Sequence, residues 1–407
     1  MNIYIVVQEK LANAVDWSTI YSPEKYRLIL ITTPIIDAAW STSQRQYFES
    51  IFKEESLTDE VLHNIVSKII IEFPNDNIHI MTNEENNLLK CAKIRTLFGL
   101  EGDTEEVITI FRNKHSMKTR LIANGLENLI PKYKIFDPNE ITEDYAQQLV
   151  DLLCLPIFCK PTAESACRGT CILRNIEEIV NWIQQHRHAP VGTFEFDEYI
   201  TGESYHCDSI VRHNTVLHAE VSRYLYPCFE YKNGHPCASI VLDHNDPLLE
   251  KIRNFNQTIL NGLQTIPNCI THLEIFKTDD NRLIFLEIAA RPPGALVCPI
   301  YEFTTGLDFK LIHYKLQMNL DFDVTIKQRF YAASARFPRP SEKIIKLNRP
   351  THLQSEFEFE HDTEFVTGSR RLVWMPDSYI ILWNRNYNVL EADFNSLRNF
   401  VPALTAQ

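Results

Sequence analysis

Apolar runs and polar punctuation alternate regularly along residues 1 to about 110. Segments 3–7, 27–32 and 77–81 read as strands, and 88–100 as a helix after a turn at Asn83. Strands alternating with helices predict an open parallel sheet covered by helices, an α/β arrangement. No G-x-G-x-x-G follows the first strand, so nothing supports a dinucleotide-binding turn there. A basic helix is expected over 114–124, stopped by Gly125. Then come a short strand within 131–136, a helix over 143–153, and a strand over 155–161 with Lys160 near its end. That strand feeds a loop of small residues, 162–170, followed by a strand at 171–173, a helix over 176–185 and a strand over 194–200. Segments 207–212 and 216–221 are expected to pair about a His213-Asn214 turn, and 309–318 to form a helix after Gly306. From about residue 320 the pattern turns strand-like, with charged hairpins and a last helix over 391–400.

The stretch from Thr271 to Gly294 carries the most chemistry. Two apolar segments flank Asp279-Asp280-Asn281-Arg282, a turn signal, and a hairpin closed there sets Glu274 directly across from Glu287. Opposed side chains on one face have Cβ atoms roughly 5 Å apart. Two carboxylates that close raise each other's pKa unless a cation lies between them, and a hard divalent ion held by oxygens, Mg²⁺ foremost, meets that need. Alternation predicts that Glu274 shares a face with His272 and Phe276, and Glu287 with Leu283 and Phe285. The competing reading is a solvated hairpin with both acids in water. A half-apolar face of this kind favours the metal.

Composition narrows the field further. Of 407 residues, 44% are hydrophobic and 23% charged, ordinary for a globular chain of two or three domains. The net charge is -13 and no lysine–arginine stripe tracks phosphates, so nucleic acid is not an expected partner. The chain enters its first strand without a basic flank or cleavage site, and no apolar run approaches ~20 residues. No membrane partner is expected, and the expected compartment is cytoplasmic. The ten cysteines form no C-x-x-C pair and lie mostly in apolar segments, as buried free thiols do.

In chain order, the polar residues suit a nucleoside triphosphate. Lys114 and Lys160 are placed to neutralise phosphate oxygens, and loop 162–170, with Ser165 and Gly169, to wrap backbone N–H groups round the β- and γ-phosphates. Glu274 and Glu287 would hold the ion that bridges those phosphates. Arg291 would brace the moving phosphoryl group with a fork that lysine cannot match.

With these residues assembled, the chain resembles the ATP-grasp superfamily from about residue 1 to 320. Phe111-Arg-Asn-Lys-His-Ser-Met-Lys118 is similar to the family's lysine-bearing helix start, and Phe158-Cys-Lys-Pro161 to its phosphate-binding strand. Asp197-Glu-Tyr-Ile-Thr-Gly-Glu203 resembles its hinge, while His272-Leu-Glu274 and Glu287-Ile-Ala-Ala-Arg-Pro-Pro-Gly294 resemble its two metal-binding strands. The resemblance implies an N-terminal α/β domain over 1–110 and a lid with the phosphate loop over 111–195. It also implies an antiparallel core over 196–320 and a small α+β extension over 321–407. ATP and Mg²⁺, or Mn²⁺ in its place, are the implied cofactors. The backbone from Asp197 through Glu198, Tyr199 and Ile200 would read the adenine edge, and Glu203 would bind the ribose hydroxyls. Three departures stand out: Ala289 replaces the usual metal-binding asparagine, Asn113 replaces an aspartate, and Ala163, Ser165 and Ala166 replace loop glycines.

The implied reaction activates a carboxylate as an acyl phosphate, releasing ADP, and joins it to an amine. Small-molecule acids and amines are then the partners, and a homodimer the expected assembly. Arg223, beside Tyr224, is the candidate for the acid's carboxylate, with Arg168 as a second. His272 is the candidate base for the amine. The alternatives are a bicarbonate-activating carboxylase of the biotin type and a nucleotide-binding protein without turnover.

Overall fold

The computed structural model describes residues 1–10, 15–327, 329–339, 344–361 and 378–405. Part of the charged tail expected to form hairpins lies outside the described residues. Strands Ser50–Lys53, Tyr26–Thr32, Asn2–Gln8 and Asn77–Met81 form, in that spatial order, a fully parallel sheet. Period-two alternation splits the first strand between two cores. Ile3, Ile5 and Val7 pack under helices Asp59–Glu72 and Glu85–Phe98, while Tyr4 and Val6 face Trp17, Trp40 and Tyr314. Both faces are covered, which is why these strands read as continuous apolar runs. The strand at Ser50 and the helix from Asp59 were not anticipated from the sequence.

The lid is an antiparallel sheet ordered Tyr133–Ile135, Phe194–Glu198, Ile157–Pro161, Cys171–Leu173. Helices Tyr145–Leu153 and Ile176–His186 cover one face through Leu149, Ile179 and Trp182, whose ring meets Phe136 and Phe196 edge-on at 5.1 and 5.0 Å. The second helix starts where Asn175 caps the Glu178 N–H and Glu178 reaches back to the Arg174 N–H. Strand Phe194–Glu198 pairs on both sides within this sheet, which therefore runs on to Glu198.

An eight-stranded antiparallel sheet forms the centre. Its order is Leu283–Ala289, Cys269–Lys277, Glu203–Arg212, Thr215–Tyr224, Cys237–Val241, Tyr331–Phe337, Ser378–Asn384, Glu356–His361. The last three strands come from beyond residue 320, so the expected extension continues the central sheet. Helices Lys114–Ala123 and Pro247–Leu263 pack on one face, and Val297–Thr305 and Phe309–Gln317 on the other. The expected turn holds, with His213 and Asn214 both left-handed, as a two-residue hairpin requires. Among the described residues no helix is long and apolar enough to cross a membrane.

One glycine fixes how the lid meets this sheet. Gly202 has φ +139°, and a Cβ there would lie 2.2 Å from the Lys277 carbonyl oxygen. Gly202→Ala is expected to destabilise the chain by about 2 kcal/mol or more, read as a lowered denaturation midpoint. An unchanged midpoint would show that the two backbones separate easily.

Candidate active site between lid and central sheet

A cavity of about 290 Å³ opens between the lid sheet and one end of the central sheet. Its roof carries a buried cluster of charge. Glu195 and Asp197, two apart on one strand, share a face and meet Lys118 and Lys160. Lys118 Nζ lies 3.1 Å from Glu195 Oε1 and 2.5 Å from Asp197 Oδ1; Lys160 Nζ lies 2.9 Å from Asp197 Oδ2 and 3.4 Å from Glu195 Oε1. Burial alone would raise the Asp197 carboxyl, but the two lysines outweigh it and hold it below the usual range. Burial would likewise depress Lys160, and Asp197 and Glu195 instead push it up. Lys160 lines the cavity, and its ammonium has three N–H donors for the two carboxylates beside it, leaving one to spare.

Lys114 opens its helix behind Asn113, which accepts the Ser116 N–H at 3.0 Å. Asparagine therefore serves as the N-cap at the position where an aspartate is common. Lys114 Nζ donates to the Glu164 carbonyl at 2.9 Å and lies 2.8 Å from Glu287 Oε2. It ties the loop to the hairpin. Loop 162–170 is poor in glycine, yet Ala166 and Cys167 adopt φ +54° and Gly169 φ +69°. These positive-φ residues turn the loop tightly at the cavity edge, which Ala166 and Cys167 line. Ser165 and Arg168 line the cavity, and exposed Arg168 pairs with Glu164 at 2.9 Å.

The floor is the acidic hairpin. Glu274 and Glu287 face one another, as expected, but by two compensating irregularities. The turn is one residue tighter: Thr278 N bonds Arg282 O at 2.9 Å, leaving a three-residue loop with Asn281 at φ +63°. A bulge then leaves Leu286 without a partner and restores the register at Glu287. The bulge also breaks the face alternation. Leu283 and Phe285 enter the core with Leu273 and Ile275, whereas Leu286 and Glu287 line the cavity with Glu274 and Phe276. The expected grouping of Glu287 with Leu283 and Phe285 is thus corrected.

Protein groups supply the charge compensation that two facing carboxylates require. Burial would raise the Glu287 carboxyl, but Lys114, then Lys160 and Arg291, hold it at about 2. Glu274 Oε1 accepts the Tyr224 hydroxyl at 3.1 Å and lies 3.4 Å from His272 Nε2. Two facing carboxylates that both line the cavity supply the oxygen donors a hard divalent ion takes.

Behind Glu274 lies a polar network that was not anticipated. His272 Nδ1 and His206 Nδ1 each lie 2.6 Å from fully buried Asp208, on separate oxygens, and the Tyr301 hydroxyl donates to Asp208 at 2.5 Å. His206 Nε2 contacts Ser239 Oγ at 2.7 Å. Burial would depress the His272 imidazole, yet Asp208 raises it to about 9. His206, Asp208 and His272 bring three potential metal-ligand atoms within 4.8 Å. Because Asp208 takes both Nδ1 groups, the trio acts first as a hydrogen-bonded support.

Several expected residues lie elsewhere. Arg223 is on the opposite face of its strand from Tyr224 and pairs with Glu391 at 2.7 Å, so it cannot meet a carboxylate in the cavity. Tyr224 has the site-facing parity. Arg291 donates Nε and Nη2 to Glu85 Oε2 at 2.9 and 2.6 Å, outside the cavity lining. Its charge still reaches Glu287, as the lowered carboxyl records. Glu203 sits at the rim on Lys277 at 2.6 Å, and Glu198 turns its carboxylate to the Lys132 N–H. Tyr199 and Ile200 line the cavity. Asp197 contributes a carboxylate that clamps lysines, a role distinct from the backbone contact expected of it. Lys118, Glu195, Asp208 and Glu85 were missed as site residues. The strand-two spacing of Glu195 and Asp197 and the one-turn spacing of Lys114 and Lys118 were the available signals.

No family model matches the chain. It is 24% identical over 264 residues to an L-arginine-specific L-amino acid ligase of Bacillus subtilis, spanning 62% of this chain and 60% of that protein. An L-amino acid ligase from Bacillus licheniformis superposes with a TM-score of 0.70 at 16% identity, covering 100% of this chain and 99% of that one. N5-carboxyaminoimidazole ribonucleotide synthetase from Thermotoga maritima gives 0.66 at 14% identity, with 100% and 99% covered. Together with the three-part architecture and the cavity it encloses, these likenesses establish that the chain has the ATP-grasp fold.

Proposed function

We propose that the chain is an ATP-dependent, ADP-forming ligase that joins a carboxylate to an amine through an acyl phosphate. The observation that carries this is the convergence of Lys114, Lys160, Glu274 and Glu287 on one cavity beneath a loop with left-handed residues. Lys160 and the loop N–H groups bind and orient the triphosphate, and the 199–200 segment flanks the base. Bound Mg²⁺, or Mn²⁺ in its place, would neutralise phosphate charge, and Glu274 and Glu287 are the residues to hold it. A carboxylate oxygen then bonds the γ-phosphorus as the bond to ADP breaks. The amine nitrogen next bonds the acyl carbon, phosphate leaves, and the amine proton is lost. The protein's part is positioning and charge neutralisation. Arg291, fixed by Glu85, adds positive charge beside Glu287.

Amino acids are the favoured substrate class, given the activities named for the two ligases from Bacillus. The test is ADP and phosphate release with Mg²⁺ and ATP against pooled amino acids and carboxylic acids, with mass spectrometry of products. A dipeptide or amide formed one-for-one with ADP supports the reading. Turnover that needs bicarbonate and biotin, or none with any pool, would overturn it. Lys160→Met is expected to weaken ADP binding about tenfold or more by calorimetry, since it removes the ammonium in the cavity roof. Unaltered affinity would take Lys160 out of the phosphate site. A homodimer belongs to the same reading and is checked by sedimentation velocity.

A further inference from the structure

The Asp208 network has no task in the reaction just described, yet it is costly to bury. An ionised carboxylate at 0% exposure holds two imidazoles and a phenol, with every contact between 2.5 and 2.6 Å. Its effect is directional. Nδ1 of His272 is committed to Asp208, which fixes the ring and turns Nε2 toward the cavity floor. His272 and Glu274, two apart on one strand, point to the same face, and Nε2 stands 3.4 Å from Glu274 Oε1. Two donors each about 2.1 Å from one ion, at right angles, lie about 3 Å apart, so this separation is close to that of two ligands on a common ion.

The facing strand leaves room for such a ligand. His272 pairs directly with Ala289, whose methyl group offers no donor of its own. A carboxylate on one imidazole nitrogen with the other aimed at a metal position is the arrangement that orients histidine ligands. A histidine kept only for packing would not need its second nitrogen turned to a carboxylate that lines the nucleotide cavity.

We propose that His272 Nε2, releasing its proton to solvent as the ion binds, and Glu274 ligate one divalent ion together, with Asp208 as the group that orients the imidazole. This rests on the nucleotide–metal reading above and deepens it. The centre then has a nitrogen donor, which Mn²⁺ accepts more readily than Mg²⁺ does, because magnesium favours oxygen. His206, Tyr301 and Ser239 hold the orienting carboxylate in place and do not themselves bind the ion.

The test uses the full chain carrying [¹⁵N]histidine, loaded with Mn²⁺ and ADP and read by pulsed electron paramagnetic resonance. The expected spectrum contains a directly bonded imidazole nitrogen whose coupling changes from the ¹⁴N to the ¹⁵N pattern with labelling. His272→Gln should abolish that coupling and lower the preference for Mn²⁺ over Mg²⁺ by about tenfold or more. Bound Mn²⁺–ADP with no histidine-dependent coupling would overturn the proposal while leaving the ligase reading standing. Coupling that survives in His272→Gln would also overturn it, since another histidine would then be the ligand. If Mn²⁺–ADP does not bind at all, both readings fall.

Discussion

Replacing Glu287 by glutamine is expected to cut turnover about a thousandfold, about 4 kcal/mol of lost transition-state stabilisation, while the chain stays folded. Glutamine keeps an oxygen for Lys114 and the shape of the side chain, so packing beside the bulge at Leu286 is preserved. What it removes is a negative charge held at about 2 in its ionisation by Lys114, Lys160 and Arg291. Those three cations would then face an uncharged amide and repel a bound divalent ion. The check is steady-state ADP release with the substrates identified by screening, alongside an unfolding curve. Turnover within a few-fold of the parent would mean that the hairpin does not hold the metal.

Lys118→Met is expected to cost about 3–5 kcal/mol, the loss typical when one partner of a buried ion cluster is removed. Lys118 and Glu195 are fully buried, and Asp197 nearly so. Without Lys118 two buried carboxylates depend on Lys160 alone. Lys118 also lies over the Tyr133 ring, 4.4 Å from its centroid, so the edge strand Tyr133–Ile135 and its inner neighbour Phe194–Glu198 are both affected. Hydrogen exchange across Tyr133–Ile135 and Phe194–Glu198 should lose most of its protection. Unchanged protection would show that the cluster is dispensable to the lid. The sign with pH follows from Asp197, whose carboxyl is depressed in the folded chain. Its contribution is present above its unfolded pKa of about 3.9 and fades as the pH falls below that value.

Sequence patterning made the parallel N-terminal sheet legible because strands buried on both faces leave unbroken apolar runs. It also brought Glu274 and Glu287 together, though through a turn one residue too long. The Leu286 bulge cancelled that error, and nothing in the local sequence announces a bulge. The same bulge defeated the face assignment of Glu287, since period-two counting assumes an uninterrupted strand. Arg223 failed for the opposite reason: the strand is regular there, and its parity puts Tyr224 into the site. Lys118 and Glu195 were passed over because charged residues on amphipathic elements are ordinarily solvated, and their burial depends on partners distant in the chain. The Asp208 network was hidden likewise, being assembled from three strands and a helix.

The measurement that bears most directly on the central claim is isotope transfer from the acid substrate. With both carboxylate oxygens labelled as ¹⁸O and unlabelled ATP, the acyl-phosphate route predicts one ¹⁸O in each released phosphate and one left in the amide. Phosphate carrying no label, with ADP formed and amide bond made, would contradict the account.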